Sequence, residues 1–209
     1  MSNPVCLIIS GAPYYDGALL SLPEAHYVIA CDRGVAYAEK SRIRPDLIVG
    51  DFDSYHGVLP ADVPVVRLPV KKDDTDTGYA LRYAVEHGYT DIYVAFALGG
   101  RLDHTLANLQ SASEAAAKGA RVTLLGADTM VCVVGPGTLR LGVGAGRALS
   151  VFALTDLATD VCIEGAEYTL RHATLRANYP LGVSNVATGE ATISHREGVL
   201  AVMLCADLP

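Results

Sequence analysis

The chain has 209 residues, with 16 lysines and arginines against 23 aspartates and glutamates, a formal net charge of −7. Its basic residues are scattered, the longest run being Lys71-Lys72, which excludes a face built to hold a nucleic-acid backbone. Apolar residues make up 51% of the chain and charged residues 19%, a globular composition. No apolar run approaches the ~18 residues of a membrane span.

In chain order, Val5–Ile9 reads as a short buried strand closed by Gly11 and Pro13, and Tyr27–Cys31 as a second. The stretch Val35–Ser41 is helix-like, and Asp46–Val49 and Val65–Leu68 are the next strand candidates. Thr77–His87 has the spacing of a helix, with Leu81, Ala84 and Val85 ahead of a Gly88 stop. Asp91–Leu98 is a strand. Thr105–Lys118 is a helix whose expected apolar stripe runs through Leu102, Leu106, Leu109 and Ser113, and Arg121–Leu125 is one more strand. Strands alternating with helices predict a mostly parallel, Rossmann-like α/β sheet covered on both faces over residues 1–128.

Beyond residue 128 the helical period disappears. Short strand-like runs follow at Met130–Val134, Thr138–Leu141, Leu149–Leu154, Val161–Glu164, Tyr168–Leu170, Ala191–Ser194 and Val199–Leu204. They predict a small all-β sandwich over residues 129–209. The five cysteines (Cys6, Cys31, Cys132, Cys162, Cys205) show no Cys-x-x-Cys spacing, so neither a disulfide framework nor a zinc site is expected. The first residues, Met1 to Pro4, lack the charged and apolar regions of a secretory signal, and a cytoplasmic location is expected.

The acids are unevenly placed: of 15 aspartates, ten lie between Asp32 and Asp103. Asp32 follows the second strand. Asp51 and Asp53 follow the third, Asp73, Asp74 and Asp76 precede a helix, and Asp103 follows the Asp91–Leu98 strand. Ligands of an open parallel sheet bind beyond the carboxyl ends of its strands, where three of these four groups fall. Asp32, Thr75, Asp76 and Asp103 can each be explained as turn or cap residues. The pair Asp51 and Asp53 is harder to explain that way, because two like charges at i and i+2 repel unless a cation lies between them. Carboxylate oxygens suit Mg²⁺, and Arg101 suits a phosphate. A phosphate-loop signature, a Gly-x-Gly-x-x-Gly fingerprint and a His-x-x-x-His pair are all absent from the sequence.

Four ordered strings carry a resemblance: Cys31-Asp32-Arg33-Gly34, Pro45-Asp46-Leu47-Ile48-Val49-Gly50-Asp51-Phe52-Asp53-Ser54, Lys72-Asp73-Asp74-Thr75-Asp76 and Gly99-Gly100-Arg101-Leu102-Asp103-His104. With Gly182-Val183-Ser184-Asn185 and Gly198-Val199-Leu200 near the other end, they resemble the thiamine pyrophosphokinases over essentially the whole chain. The resemblance implies transfer of a pyrophosphoryl group from ATP to the hydroxyl of thiamine, with Mg²⁺ as cofactor and a homodimer whose active sites are shared between subunits. It implies metal ligation by Asp51 and Asp53, with Asp32 and Asp73 or Asp76 completing the shell. Arg101 then holds phosphate, Asp103 orients Arg101 or holds nucleotide, and Gly34 and His104 belong to the nucleotide site. One of the aspartates would act as general base, and the sequence leaves open which. Ser184 and Asn185, with Asp73 and Asp76, would face thiamine. Many relatives stack a Trp on the pyrimidine, but this chain has none, and Tyr168 is the candidate in its place. The alternatives are a related pyrophosphokinase for another alcohol, or a non-catalytic thiamine diphosphate or nucleotide-binding module.

Overall fold

A computed structural model describes residues 3–13, 20–53, 55–69 and 73–206; Ser54, Lys71 and Lys72 of the strings above lie outside them. The first strands are β1 (Val5–Ile9), β2 (Tyr27–Cys31), β3 (Leu47–Gly50), β4 (Val65–Arg67), β5 (Asp91–Ala95) and β6 (Arg121–Leu125). They pair in parallel in the order β6-β5-β1-β2-β3-β4. Their residues alternate between faces, as the two-residue period of a strand requires. Cys6, Ile8, Ile29, Cys31, Leu47 and Val49 join the core beneath helices α2 (Asp76–Glu86) and α3 (Leu102–Ala117). Leu7, Ile9, Val28, Ala30 and Ile48 join the opposite core with Val35 and Ala38 of α1 (Gly34–Lys40).

The sheet does not stop at residue 128. A tight turn, in which the Gly126 N–H donates to the Thr129 carbonyl at 2.8 Å, sends the chain back as β7 (Thr129–Val134), antiparallel to β6. From there β13 (Leu200–Cys205) and β9 (Ala148–Ala153) extend the same sheet. The long strand β12 (Gly182–His195) pairs with β9 through its first half and with β8 (Gly137–Gly142) and β10 (Leu157–Ala166) through its second. β11 (Leu170–Arg176) closes the order beyond β10. The result is one large mixed sheet, parallel in its first half and antiparallel in its second, rather than a separate Rossmann-like sheet. A second core, including Leu149, Val151, Ile163, Leu175, Ile193 and Val202, lies within the antiparallel strands.

Three expectations need correction. The α3 stripe is turned: Leu102 and Leu106 are exposed (81% and 55%), while Asn108, Ala112, Ala115 and Ala116 face the core. Alanines let α3 lie close to the sheet and to α2, itself lined by Ala80 and Ala84, so small residues mark the inner face, with Leu109 of the expected stripe packed against the same core. Tyr168 is not in a strand but in the bend between β10 and β11, and β12 is far longer than its Ala191–Ser194 segment suggested.

One contact sets the spacing of α1 against the sheet. A Cβ at Gly34 would lie 2.0 Å from the Ile9 carbonyl oxygen, a backbone atom that cannot step aside. Gly34→Ala should therefore destabilise the fold by about 3 kcal/mol, read as a lowered midpoint in urea unfolding. An unchanged midpoint would mean that α1 can shift outward freely.

Candidate active site at the carboxyl edge of the sheet

The order of strands reverses between β1 and β5: β2, β3 and β4 continue to one side, β5 and β6 to the other. A crevice forms beyond the carboxyl ends at such a reversal. A cleft of about 500 Å³ occupies it, lined by Ser10 to Pro13 after β1, Cys31 to Arg33 after β2, Asp51 and Asp53 after β3, Asp74 to Thr77 at the start of α2, and Gly99, Arg101, His104 and Asn108 from the loop and first turns of α3.

Asp32, Asp51 and Asp53 converge. Each offers a carboxylate oxygen, and these atoms all lie within 4.8 Å of one another. The backbone is bent to achieve this. Asp32 has φ 44° and Phe52 φ 60°, left-handed values that cost a non-glycine residue energy and cluster at functional sites. The Asp32 N–H donates to the Val49 carbonyl at 2.9 Å, which ties its turn to β3. Gly50 makes room, since a Cβ there would come within 3.2 Å of Asp32 backbone and side chain alike. The Asp53 N–H donates to Asp51 Oδ1 at 3.2 Å, and the Arg67 guanidinium sits 4.9 Å above the Phe52 ring, so the turn between the two carboxylates is held from both sides.

At α2, Thr75 is the N-cap: its hydroxyl accepts from the Gly78 N–H at 2.9 Å, and Asp76 is the first helical residue. Asp74 accepts from the Thr75 N–H at 2.8 Å and pairs with Arg82. It is Asp74 and Asp76 that line the cleft, whereas Asp73 is exposed and lies outside both the lining and the carboxylate cluster. The buried hydroxyls of Ser10 and Thr77 share a 2.7 Å hydrogen bond across the cleft floor.

Between β5 and α3, Gly99 and Gly100 turn the chain with φ 89° and 71°, and the buried Asn108 side chain donates to the Ala97 carbonyl at 2.8 Å to pin that loop. Arg101 is held in its fork by Asp103, Nε to Oδ1 at 3.1 Å and Nη2 to Oδ2 at 2.6 Å. Asp103 Oδ1 also accepts from the His104 N–H at 3.0 Å. The Arg101 hydrogen bonds draw the Asp103 carboxyl down to about 2 and raise Arg101 in turn. Gly34 does not line the cleft; it is buried against Ile9 and serves the packing of α1.

Tyr168, Ser184 and Asn185 lie elsewhere, among the antiparallel strands, and all the described residues that line the cleft precede residue 128. Tyr168 and Ser184 are exposed, whereas Asn185 is buried. Ser10, Thr77 and Asn108 were not anticipated from the sequence, and Asp74, named there in the third acidic group, was given no role of its own. Ser10-Gly11 at the end of the first strand was the available signal for one of them, because a strand end is where a ligand meets the sheet.

Two family descriptions match the chain: "Thiamin pyrophosphokinase, catalytic domain" over residues 19–124 and "Thiamin pyrophosphokinase, vitamin B1 binding domain" over residues 138–200. A thiamine pyrophosphokinase of Bacillus subtilis is 24% identical over 186 residues, covering 86% of this chain and 87% of its own length. Thiamin pyrophosphokinase 1 of Caenorhabditis elegans is 26% identical over 199 residues, covering 88% and 82% respectively. The crystal structure of the Bacillus subtilis enzyme superposes with a TM-score of 0.84 at 24% identity, covering 98% of this chain and all of that one, and so shares the fold. That of a Geobacillus thermodenitrificans thiamin pyrophosphokinase gives 0.78 at 25% identity, covering 97% and 98%.

Arg101→Lys removes the fork that holds Asp103. The Asp103 carboxyl should then titrate higher, nearer the ordinary aspartate value of about 3.9, in a carboxyl-carbon NMR titration. In the wild type the depressed value keeps the pair intact at neutral pH and loses it only as pH falls toward about 2. An Asp103 titration unchanged in the variant would show that Arg101 does not hold it.

Proposed function

The chain belongs to the thiamin pyrophosphokinase family, and from that premise we propose how its residues divide the transfer of a pyrophosphoryl group from ATP to the thiamine hydroxyl, which yields thiamine diphosphate and AMP. The single observation that carries the proposal is the convergence of Asp32, Asp51 and Asp53 beyond the carboxyl ends of β2 and β3, in the cleft. Three hard oxygen donors on a turn held in left-handed geometry suit a divalent cation, and Mg²⁺ fits them. Bound there, Mg²⁺ would neutralise charge on the nucleotide phosphates, which an acidic cleft otherwise repels.

The protein's own contribution is positioning and electrostatics. Arg101 exchanges Asp103 for phosphate oxygens, its fork already set for two of them, and Asp103 keeps it oriented until then. The Gly99-Gly100 turn presents backbone N–H groups to the same anion, and His104 lines the cleft beside it. Asp74 and Asp76 complete an acidic wall that draws in the thiazolium cation, and a carboxylate of this wall takes the hydroxyl proton as the oxygen attacks the β-phosphorus. Tyr168 and Ser184, exposed on the antiparallel half, bind the pyrimidine.

This division makes residues 1–128 the ATP and metal unit and residues 129–209, the antiparallel half of the sheet, the thiamine unit; the two matched family regions fall on either side of that boundary, which supports it. Because the cleft draws its described lining from the first unit alone, a homodimer whose subunits supply each other's Tyr168 completes the site. Exposed Leu102 and Leu106 beside the cleft, and Tyr179, Leu181 and Val183 near Ser184, support such a contact. The five cysteines are all free thiols, which suits a reducing cytoplasm. Among the described residues no helix is long and apolar enough to cross a membrane.

Incubation with thiamine, ATP and Mg²⁺ should give AMP and thiamine diphosphate in equal amounts, resolved by chromatography; ADP as the co-product, or turnover only with another alcohol, would overturn the assignment. Asp51→Asn should lose Mn²⁺ binding, read by electron paramagnetic resonance, together with about a hundredfold or more of turnover. Mixing Asp51→Asn with Tyr168→Ala subunits should then restore activity, because one site of each heterodimer is intact. No recovery on mixing would place each active site within a single chain.

A further inference from the structure

Ser184 and Asn185 are neighbours in β12, yet the fold sends them in opposite directions. The register of β12 against β9 shifts between Gly182 and Asn185, and Ser184 takes φ 58° in that bulge, with its N–H donating to Ser150 Oγ at 3.1 Å. Ser184 is left exposed and Asn185 is turned inward to 7% exposure. The Asn185 carboxamide is then almost fully used within the chain. Its Oδ1 accepts from the Tyr168 N–H at 2.9 Å and from the Val186 N–H at 2.9 Å, and its Nδ2 donates to the Tyr168 carbonyl at 2.6 Å. That leaves one N–H of its four hydrogen-bonding positions.

Both main-chain groups of Tyr168 are thus satisfied by one side chain 17 residues away, much as a partner strand would satisfy them. Tyr168 itself lies in the bend between β10 and β11, outside the ladder, and is 69% exposed. The bend is tight next to it: Gly165 has φ 74°, and a Cβ there would meet the Glu190 carbonyl oxygen at 1.9 Å. The adjacent Glu167 N–H donates to the Val186 carbonyl at 2.9 Å. An exposed aromatic ring on a bend would ordinarily lose entropy on taking up a flat ligand, and the clamp removes much of that cost in advance.

We propose that Asn185 is a positioning residue for thiamine, acting through Tyr168 by fixing the backbone that presents its ring, and that it does not itself contact the pyrimidine. The proposal rests on Tyr168 as the stacking residue of the function given above.

A double-mutant cycle tests it, with thiamine dissociation constants measured by calorimetry for wild type, Tyr168→Ala, Asn185→Ala and the double variant. Tyr168→Ala should weaken thiamine about tenfold to a hundredfold, as loss of a stacked aromatic does. Asn185→Ala should weaken it by nearly as much, and the double variant no further. In steady state, Asn185→Ala should raise the thiamine KM several times more than it lowers kcat. Effects that multiply in the double variant would show that Asn185 touches thiamine independently, and an unchanged constant in Asn185→Ala would remove it from the site; either overturns the proposal. An unchanged constant in Tyr168→Ala overturns the stacking reading instead. Amide exchange of the ligand-free protein separates the two failures: the Tyr168 N–H should be protected in the wild type and exchange freely in Asn185→Ala, whatever Tyr168 binds. Should Asn185→Ala not fold, Asn185→Asp keeps both accepted bonds and loses only the donor to the Tyr168 carbonyl. It should weaken thiamine in the Tyr168 background and have no effect in Tyr168→Ala.

Discussion

Asp32 leaves β2 in a left-handed conformation, squeezed between the ends of β1 and β3, and the geometry of the cleft follows from how closely the chain passes itself there. Behind it, Gly34 rests on the Ile9 carbonyl; beside it, Gly50 rests on Asp32 itself. Neither approach is open to a residue with a Cβ unless backbone moves. With those two contacts in place, the carboxylate of Asp32 meets those of Asp51 and Asp53, which descend from the next strand on a turn whose middle residue, Phe52, is also left-handed. The strain is local, and it is stabilised by the fully buried strands on either side, whose residues Ile8, Ile9, Ile29, Ile48 and Val49 are at or near zero exposure.

That arrangement opposes folding electrostatically. Three carboxylates with oxygens within 4.8 Å repel one another, and Asp74 and Asp76 stand in the same cleft. The fold compensates in part with fixed donors and cations: the Asp53 N–H on Asp51, Arg82 on Asp74, Arg101 on Asp103. The net charge of the chain reflects this. Residues 1–128 carry sixteen acids and eleven bases, residues 129–209 seven and five.

How much of this was legible in the sequence depended on whether the signal was local. The strand positions of the first half were readable because buried parallel strands are short apolar runs, and the reversal of strand order turns their carboxyl ends into one site. Asp51 and Asp53 were readable as a pair because their repulsion is a matter of spacing alone. Which of Asp73 and Asp74 faces the cleft was not, since it depends on Thr75 taking the cap and Arg82 reaching back from the next turn of α2. Asp46, Asp62 and Asp91 look identical to site residues in a list of acids, yet they hold the Val28 N–H, Arg44 and Arg121 respectively. The inner face of α3 was misread at Leu102 and Leu106, though not at Leu109, because leucine was given more weight than alanine, although close helix packing favours the smaller residue.

The continuity of the sheet bears on how the two halves cooperate. Had the parallel and antiparallel halves been joined by a flexible linker, the second could have swung over the cleft of the first. Instead β6 runs straight into β7 through a turn closed at Gly126 and Thr129, and α3 packs into a core shared by β7 and β13 through Val131, Val133 and Ala201. A hinge at that turn would have to break the β6–β7 ladder and open the core beneath α3, both costly in a close-packed interior. The burial of small residues under α3 and the exposure of Leu102 and Leu106 on its outer face are therefore two consequences of one choice. The inner face stiffens the junction, and the outer face leaves two leucines in solvent.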